Sequence, residues 1–207
     1  MGIDLWFASP IGSVVSPKKY ELTEYCLELM SKVKSGGDGW VGKPYTTLGT
    51  YNILEDSKFK ELNTWIHHSV NEFVNTCGYG KVSAVEGWFN YYKKGDYQEY
   101  HNHASRYFSC IYYLEAQKDD AYTIFSRHPM SMVQYHISEE RKSIPATPLQ
   151  SCITLETVKY YPTKGKLLIF KSDTLHMVQQ KESRGKRISL SYNFIEDGHS
   201  KWNIPFE

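Results

Sequence analysis

The spacing of hydrophobic and polar positions changes once along the chain. Before about residue 80, apolar residues recur at every third or fourth position, which is typical of helices with one buried face. From Val82 onward apolar and polar residues alternate, which is typical of strands. The change predicts a mainly β protein with N-terminal helices.

Two helices are predicted in the N-terminal part. The first opens at Ser16-Pro17, with serine as N-cap and proline at the first helical position, and stops at Gly36-Gly37. The second runs from about Ser57 to Thr76, and Gly78 ends it. Their apolar stripes are Leu22, Cys26, Leu29 and Val33, then Phe59, Leu62, Ile66, Val70, Phe73 and Val74. The segment from Asp4 to Val15 is expected to form an edge strand.

About eight short strands are predicted after the helices. They are Val82–Tyr92, Tyr97–His103, Tyr107–Leu114, Tyr122–Phe125, Ile153–Tyr160, Lys166–Phe170, Leu175–Gln179 and Arg187–Ile195. Helices followed by such strands favour a double-sheet jelly roll. We therefore expect one domain over residues 1–207, with a helical support at 1–80, a jelly-roll core at 81–196 and a tail at 197–207. The polar stretch from Ser126 to Gln150 is expected to be a lid or binding loop.

Composition narrows the class of protein. The chain has 207 residues and a formal charge of +1, which argues against nucleic acid or a membrane surface as the main partner. Four cysteines are scattered without a CxxC pair, and no signal peptide or membrane-spanning run is evident. A reducing cytoplasm is the expected location, that of the host if the source is viral. The expected partner is a small-molecule or peptide substrate.

Three histidines form the candidate metal site. His101 and His103 are one residue apart and so are expected on the same side of a strand. His176, on a later strand, could complete three ligands on one face of a metal ion and leave the opposite positions open. Imidazole suits iron, copper, nickel and zinc, so histidine alone does not select the metal.

The remaining histidines are weaker candidates. His67 and His68 are adjacent in the middle of a helix and face different directions. His128 and His136 lie in the long loop, where they could touch substrate, and His199 is near the C-terminus.

A late arginine is the candidate anion site. Arg187 opens a strand whose polar residues share one face and whose apolar residues share the other. If both faces are buried, the arginine needs an anion, which a dicarboxylic co-substrate would supply. Arg184 is the alternative, but Ser183 and Gly185 beside it are typical of a turn, so Arg187 is preferred.

Several segments in this order resemble the Fe(II)- and 2-oxoglutarate-dependent oxygenases. They are Trp88 to Tyr92, Gly95 to His103, Ser109 to Leu114, Gly165 to His176 and Arg187 to Asn193. Within the family they resemble the prolyl-hydroxylase-like branch, and most narrowly the short 2-oxoglutarate oxygenases of marine bacteria and their phages. The resemblance implies a double-stranded β-helix, a jelly roll with the metal in its open end.

The resemblance also implies a ligand set. His101 and His176 match the two family histidines that bind Fe(II). His103 stands where the family usually has an aspartate or glutamate, so the metal would lack a compensating carboxylate. Glu99 and Asp173 are close in sequence and could reach the metal or orient a ligand.

Co-substrate and pocket residues are assigned by the same resemblance. Arg187 and Ser189 match the pair that binds the distal carboxylate of 2-oxoglutarate, and Tyr113 matches a tyrosine that adds a hydrogen bond to it. Ser109 matches a small polar residue on the face of Tyr113. The expected pocket walls are Asn90, Tyr92 and Asn193.

The expected function is a 2-oxoglutarate-dependent non-heme iron dioxygenase that hydroxylates a C–H bond of a peptide or small molecule, with release of succinate and CO2. No catalytic residue beyond the metal ligands is predicted. Two alternatives stay open at this point. One is a three-histidine cupin-like dioxygenase that does not use 2-oxoglutarate, and the other is a non-catalytic jelly-roll binding module.

Overall fold

Two antiparallel sheets and two helices make up the part of the chain that this computed structural model describes, residues 9–117, 120–126 and 156–198. The larger sheet and the helices come from β1 (Ile11–Val15), α1 (Thr23–Lys32), β2 (Tyr45–Thr46), a 3-10 turn (Ser57–Phe59), α2 (Lys60–Thr76), β3 (Val82–Tyr92), β5 (Phe108–Glu115), β8 (Lys166–Lys171) and β10 (Arg187–Glu196). The smaller sheet comes from β4 (Gln98–His101), β6 (Thr123–Ser126), β7 (Thr157–Tyr160) and β9 (His176–Val178). The strand orders are β1-β8-β5-β10-β3-β2 and β4-β9-β6-β7.

The larger sheet is buried on both of its faces. On one face the apolar stripes of α1 and α2 pack against alternate residues of β5, β8 and β10 and form the main core. On the other face Ile111, Leu168 and Phe170 pack against Phe125 of the smaller sheet. The helices therefore close one side of the larger sheet, and the smaller sheet faces the other.

Strand β10 lies near the centre of the larger sheet, paired with β3 on one side and β5 on the other. Its residues Ile188, Leu190, Tyr192 and Phe194 belong to the helix-facing core. Its polar residues Arg187, Ser189, Ser191 and Asn193 alternate with them and are all buried. Because side chains alternate along a strand, these polar groups lie on the face toward the smaller sheet.

The predicted double-sheet jelly-roll fold and most of the predicted strand bounds are confirmed. β3 has the predicted bounds, and the other predicted strands are found within a few residues where the structure describes them. The residues of the predicted loop from 127 to 150, and the start of the strand predicted at Ile153, lie outside the described residues. The short strand β2 was not predicted, since two residues carry no alternating pattern.

The predicted start of the first helix was wrong. The hydroxyl of Ser16 bonds to the backbone of Lys18 instead of capping a helix, and the Ser16 N–H donates to the Gly165 carbonyl at 2.8 Å. Tyr20 is buried in the main core, its ring 6.3 Å from that of Tyr112. The local sequence favours a helix here, but the burial of Tyr20 and the hydrogen bond of Ser16 to Gly165 are more favourable. Helix α1 therefore begins only at Thr23.

The expected division into helical support, jelly-roll core and tail stays a prediction. Within the first 80 residues, β1 and β2 both belong to the larger sheet and form its two edges, β1 as expected. Residues 199–207 of the expected tail lie outside the described residues. None of the described helices has the length and apolar character of a membrane span.

Replacing Ile66 tests the packing of α2 on the larger sheet. Ile66 is 1% exposed, so Ile66→Ala removes buried methyl groups and leaves a cavity. The expected loss in free energy of unfolding is about 2–5 kcal/mol, measured by urea denaturation. His68→Ala, on the exposed side of the same helix, is the matched control and should change it by less than about 0.5 kcal/mol. Equal effects of the two substitutions would contradict this packing.

Candidate metal centre

The three predicted histidines come together at one end of the smaller sheet. His101 is the last residue of β4 and His176 the first of β9, and the two are direct partners in the antiparallel register. One ligand atom from each of His101, His103 and His176 lies within 4.8 Å of the other two. Of the carboxylate, thiol and imidazole side chains that the structure describes, only these three imidazoles form such a group.

His103 reaches the group by a route that differs from the expected strand geometry. It lies two residues beyond the end of β4, not on the strand with His101. Its N–H donates to the Ser172 carbonyl at 2.8 Å, and the Ser172 N–H donates to the Tyr107 carbonyl at 3.1 Å. His103 is therefore placed by hydrogen bonds to the segment after β8. Strand alternation had been expected to place it.

The hydrogen bonds of the three rings define their tautomers. Nδ1 of His101 lies 2.7 Å from the Glu99 carbonyl, and Nδ1 of His176 lies 2.9 Å from the Thr174 carbonyl. A carbonyl oxygen only accepts, so each Nδ1 carries the hydrogen and each Nε2 keeps its lone pair. Both rings thus offer Nε2 to a metal ion, with the other nitrogen fixed by the backbone.

His103 is fixed in the same tautomer by a side chain. Its Nδ1 lies 2.6 Å from Oδ1 of Asn193, whose Nδ2 donates to Glu86 Oε1 at 2.7 Å. The carboxylate can only accept, which assigns the amide nitrogen of Asn193 to Glu86 and its oxygen to His103. Glu86 Oε1 also accepts from Arg106 Nε at 3.0 Å.

Burial keeps the three rings neutral. It lowers the pKa of His101 to about 4, lowers that of His103, and lowers that of His176 well below its usual value. The neutral imidazole is the form that binds a metal. Three neutral nitrogen donors within 4.8 Å of one another fit a divalent transition metal that keeps other positions open.

Arg187 is a fully buried cation with no ion-pair partner shown among the described residues. Its Nε donates to the Ala121 carbonyl at 3.3 Å, while Nη1 and Nη2 have no hydrogen-bond partner among the described residues. The guanidinium carbon lies 4.4 Å from the ring centroid of Tyr92 and 5.6 Å from that of Tyr113. Arg184, the alternative, is exposed. Arg187 is therefore the arginine that can offer two parallel donors to a buried carboxylate.

Contacts between the sheets connect Arg187 with the histidines. The hydroxyl of Tyr113 donates to Oγ1 of Thr123 on β6 at 2.6 Å. Phe125, on the same face of β6, packs against His176 with ring centroids 5.8 Å apart. The guanidinium and the three imidazoles thus belong to the same space between the sheets.

The other predicted co-substrate residues lie at different places in this space. Ser189 is buried two residues after Arg187 on the same face of β10. Ser109 instead donates to Asn193 Oδ1 at 2.6 Å and lies 3.3 Å from Nδ1 of His103. Its contacts associate it with the metal ligand, and its role in co-substrate binding stays a prediction.

The predicted pocket residues are all buried. Asn90 donates to Ser191 Oγ at 3.3 Å, and its Oδ1 is a buried acceptor with no partner in the described chain. Tyr92 stacks on Arg187 and donates to Gln98 at 3.0 Å, and burial raises its pKa to about 12. The contacts of Asn193 are to His103 and Glu86, as described above.

Neither acidic candidate ligand lies in the histidine group. The carboxylate of Glu99 accepts hydrogen bonds from Val41 N–H at 2.5 Å and Gly42 N–H at 3.1 Å. Glu99 orients His101 through its backbone carbonyl, and it ties down the segment that carries Trp40. The Trp40 ring meets that of His101 edge-on at 4.7 Å. Asp173 is exposed.

A cavity of about 270 Å³ opens beside His101 and His103. Two tryptophans, Trp40 and Trp88, contribute to its wall, together with Gln98 and the ion pair of Glu86 and Arg106. A second cavity of about 340 Å³ borders it and shares Leu48, Glu86 and Trp88. The space next to the candidate metal ligands is therefore aromatic and polar, and it continues along β3.

Several of these residues could not be identified from the sequence. Glu86, Arg106 and Ser172 acquire their roles only through contacts with Asn193 and His103, which depend on strand pairing. His67 and His68 are exposed on α2, in agreement with their low ranking. His128, His136 and His199 lie outside the described residues.

Solved structures with a similar fold include a protein solved with 2-oxoglutarate and two prolyl hydroxylases. HygX of Streptomyces hygroscopicus, solved with nickel, 2-oxoglutarate and hygromycin B, is 13% identical, with 94% of this chain and 86% of that chain covered and a TM-score of 0.61. A prolyl-4-hydroxylase of Pseudomonas putida is 13% identical, with coverages of 91% and 93% and a TM-score of 0.61. The prolyl hydroxylase of Trichoplax adhaerens, solved with a hypoxia inducible factor peptide, is 13% identical, with coverages of 90% and 83% and a TM-score of 0.60.

At this identity the structural likeness establishes the fold alone. No protein of curated function matches the chain. The family described as "Putative 2OG-Fe(II) oxygenase" matches residues 86–193, which is more than half of the chain and includes the three histidines and Arg187. The protein therefore belongs to the Fe(II)- and 2-oxoglutarate-dependent oxygenase family.

Proposed function

We propose that the protein is a hydroxylase in which His101, His103 and His176 hold Fe(II) and Arg187 holds the distal carboxylate of 2-oxoglutarate. The observation that carries the proposal is the guanidinium of Arg187, buried with Nη1 and Nη2 unpartnered among the described residues. A buried cation without an acceptor is costly unless a ligand supplies one. A carboxylate that accepts from both nitrogens would remove that cost.

Iron and 2-oxoglutarate, when bound, supply the oxidising chemistry, in which O2 and 2-oxoglutarate are consumed, succinate and CO2 are released, and an oxygen atom enters a substrate C–H bond. The residues of the chain supply position. The backbone acceptors at Glu99 and Thr174 fix the rings of His101 and His176. Tyr92 and Tyr113 hold Arg187 between them, and Ser189 on the same face is proposed to add a hydroxyl to the carboxylate site.

Asn193 and Glu86 are proposed to support His103 as the third ligand. The chain from His103 Nδ1–H to Asn193 to the Glu86 carboxylate polarises the ring toward its free Nε2. A negative charge thus stands one amide away from the ligand, where the family usually has a carboxylate on the metal itself. Ser109 donates to the same amide oxygen and is proposed to keep its orientation.

The substrate is proposed to occupy the cavity between Trp40 and Trp88. This cavity is the described space beside His101 and His103 that opens outward, and its volume of about 270 Å³ suits one side chain or a small molecule. The neighbouring cavity along β3 adds room for a longer ligand. We therefore infer that a peptide or small molecule brings a C–H bond to the metal from this side.

A three-histidine dioxygenase that works without 2-oxoglutarate would have no use for Arg187, and a binding module would need neither the arginine nor the imidazoles. The buried guanidinium lies on the face of β10 that also carries Asn193, and its Nη1 and Nη2 have no partner among the described residues, which favours the 2-oxoglutarate enzyme.

Removal of a ligand tests the metal site. His176→Ala should lower the affinity for Fe(II), measured anaerobically by calorimetry, by about 100-fold or more, because losing a ligand atom should cost more than the roughly 10- to 100-fold lost with a residue that only orients a ligand. His67→Ala, an exposed histidine of α2, is the control and should bind Fe(II) like the wild type. Retention of full Fe(II) affinity by His176→Ala would exclude this site.

Replacing Arg187 tests co-substrate binding separately from metal binding. Arg187→Met keeps an apolar stem but lacks the donor fork, so the Kd for 2-oxoglutarate should rise at least about 30-fold while Fe(II) affinity is unchanged. Uncoupled formation of succinate should fall in parallel. Arg184→Met, which alters the exposed neighbour, should bind 2-oxoglutarate normally. Unchanged binding in Arg187→Met would favour the dioxygenase that does not use 2-oxoglutarate.

The support of His103 has its own test. Asn193→Leu removes the acceptor of His103 Nδ1–H and breaks the connection to Glu86. Fe(II) affinity should fall about 10- to 100-fold, as for other residues that orient a metal-binding histidine. Asn75→Leu, at an exposed position of α2, is the matched control. A variant Asn193→Leu that folds and binds Fe(II) like the wild type would show that His103 needs no such support.

A further inference from the structure

A second buried charge cluster lies next to Arg187, outside the residues used so far. Lys181 Nζ and Asp120 Oδ1 are 2.5 Å apart, and both side chains are 0% exposed. The hydroxyl of Ser183 donates to Asp120 Oδ1 at 3.1 Å and also meets Lys181 Nζ. Such a pair is unusual, because taking two charges out of water costs more than their attraction commonly returns.

The cluster fixes the acceptor that orients Arg187. Asp120 Oδ1 accepts from the Ala121 N–H at 2.9 Å, and the Ala121 carbonyl accepts from Arg187 Nε at 3.3 Å. The Nε–H is the one donor of the guanidinium with a partner among the described residues. Its direction sets where Nη1 and Nη2 point, because the guanidinium is planar and rigid.

Lys181 connects the ion pair to the turn between β3 and β4. Its N–H donates to the Asp96 carbonyl at 2.8 Å, and its carbonyl accepts from the Gly95 N–H at 2.7 Å. The turn between β3 and β4, the connection before β6 and the connection from β9 to β10 therefore meet at the ion pair. Backbone hydrogen bonds join the same segments, since the Gln179 N–H also donates to the Tyr122 carbonyl at 3.0 Å.

The ion pair of Asp120 and Lys181 also affects the charge around Arg187. Asp120 neutralises Lys181, so the positive charge of Arg187 is left for a ligand. An apolar pair would fill the volume at a lower desolvation cost, which argues that the charges serve position more than stability.

We infer that Asp120 and Lys181 are positioning residues for the 2-oxoglutarate site: they hold the Ala121 carbonyl against Arg187 Nε and so aim the two free nitrogens at the co-substrate carboxylate. The inference rests on the proposed role of Arg187. It assigns Asp120 and Lys181 no contact with co-substrate, metal or substrate.

The test compares Asp120→Asn with the double variant Asp120→Asn/Lys181→Met, which leaves no unpaired buried charge. In both, the Kd for 2-oxoglutarate, measured anaerobically by calorimetry on the Fe(II)-loaded protein, should rise about ten-fold or more, because small misplacement of a binding group is costly. The KM for 2-oxoglutarate should rise likewise, with kcat at saturation and Fe(II) affinity within about two-fold of wild type. A generally loosened fold would change Fe(II) affinity as well.

Ser183→Ala removes the two hydrogen bonds of the hydroxyl, to Asp120 and from Lys181, and keeps the ion pair. It should raise the Kd for 2-oxoglutarate at least about two-fold, because these bonds help to fix Asp120. Lys164→Met, which breaks the more exposed ion pair with Glu115, is the matched control and should bind 2-oxoglutarate like the wild type. Thermal unfolding of each variant verifies that it is folded before binding is measured.

Two outcomes overturn different claims. If Arg187→Met weakens 2-oxoglutarate binding while the folded Asp120 variants and Ser183→Ala bind it normally, the positioning role is wrong and the proposed function stands. If Arg187→Met itself binds 2-oxoglutarate normally, the proposed co-substrate site is wrong, and the inference fails with it. Should the Asp120 variants not fold, unchanged binding in Ser183→Ala alone is sufficient to reject the positioning role.

Discussion

The site depends on strand β10 being buried on both of its faces. One face supplies apolar side chains to the core under the helices, and the other places Arg187, Ser189, Ser191 and Asn193 between the two sheets. Polar groups in such a position need partners, since water is excluded. Asn193 finds them in His103 and Glu86, whereas two nitrogens of Arg187 find none among the described residues. That difference separates the part of the site that is complete within the chain from the part that a ligand completes.

Charge is distributed differently here than in a site with a carboxylate ligand. The three imidazoles are neutral, so the ligands themselves offset none of the charge of a divalent metal. The carboxylate of Glu86 is connected to His103 through the amide of Asn193 and is shared with Arg106. A metal held this way would keep most of its positive charge for the ligands that enter the open positions. An anionic co-substrate anchored at Arg187 is the natural complement to that charge.

The sequence predicted the elements well and the connections between them poorly. Alternation located nearly every strand, because apolar and polar residues alternate along most of them. The three histidines of the group and Arg187 stood out as residue types that can bind a metal ion or an anion. Alternation does not show which strands pair with each other. The position of Asn193 directly opposite Glu86, across β10 and β3, was therefore not predictable. The route of His103, placed by the Ser172 carbonyl, and the late start of α1, forced by the docking of Tyr20, arise from tertiary contacts in the same way. The residues from 127 to 150, where a lid or binding loop was expected, lie outside the described residues.

The residues of the site are oriented in two different ways. His101 and His176 are oriented by the backbone carbonyls of Glu99 and Thr174, each two residues earlier in the chain, and other side chains at those two positions would leave these carbonyls available. Arg187 and His103 are oriented through side-chain networks, Asp120 with Lys181 for the first and Asn193 with Glu86 for the second. Such networks are sensitive to single substitutions, because a half-satisfied buried network is worse than none. The proposed co-substrate site and the proposed third ligand therefore depend on side-chain networks, whereas His101 and His176 are oriented by the backbone itself.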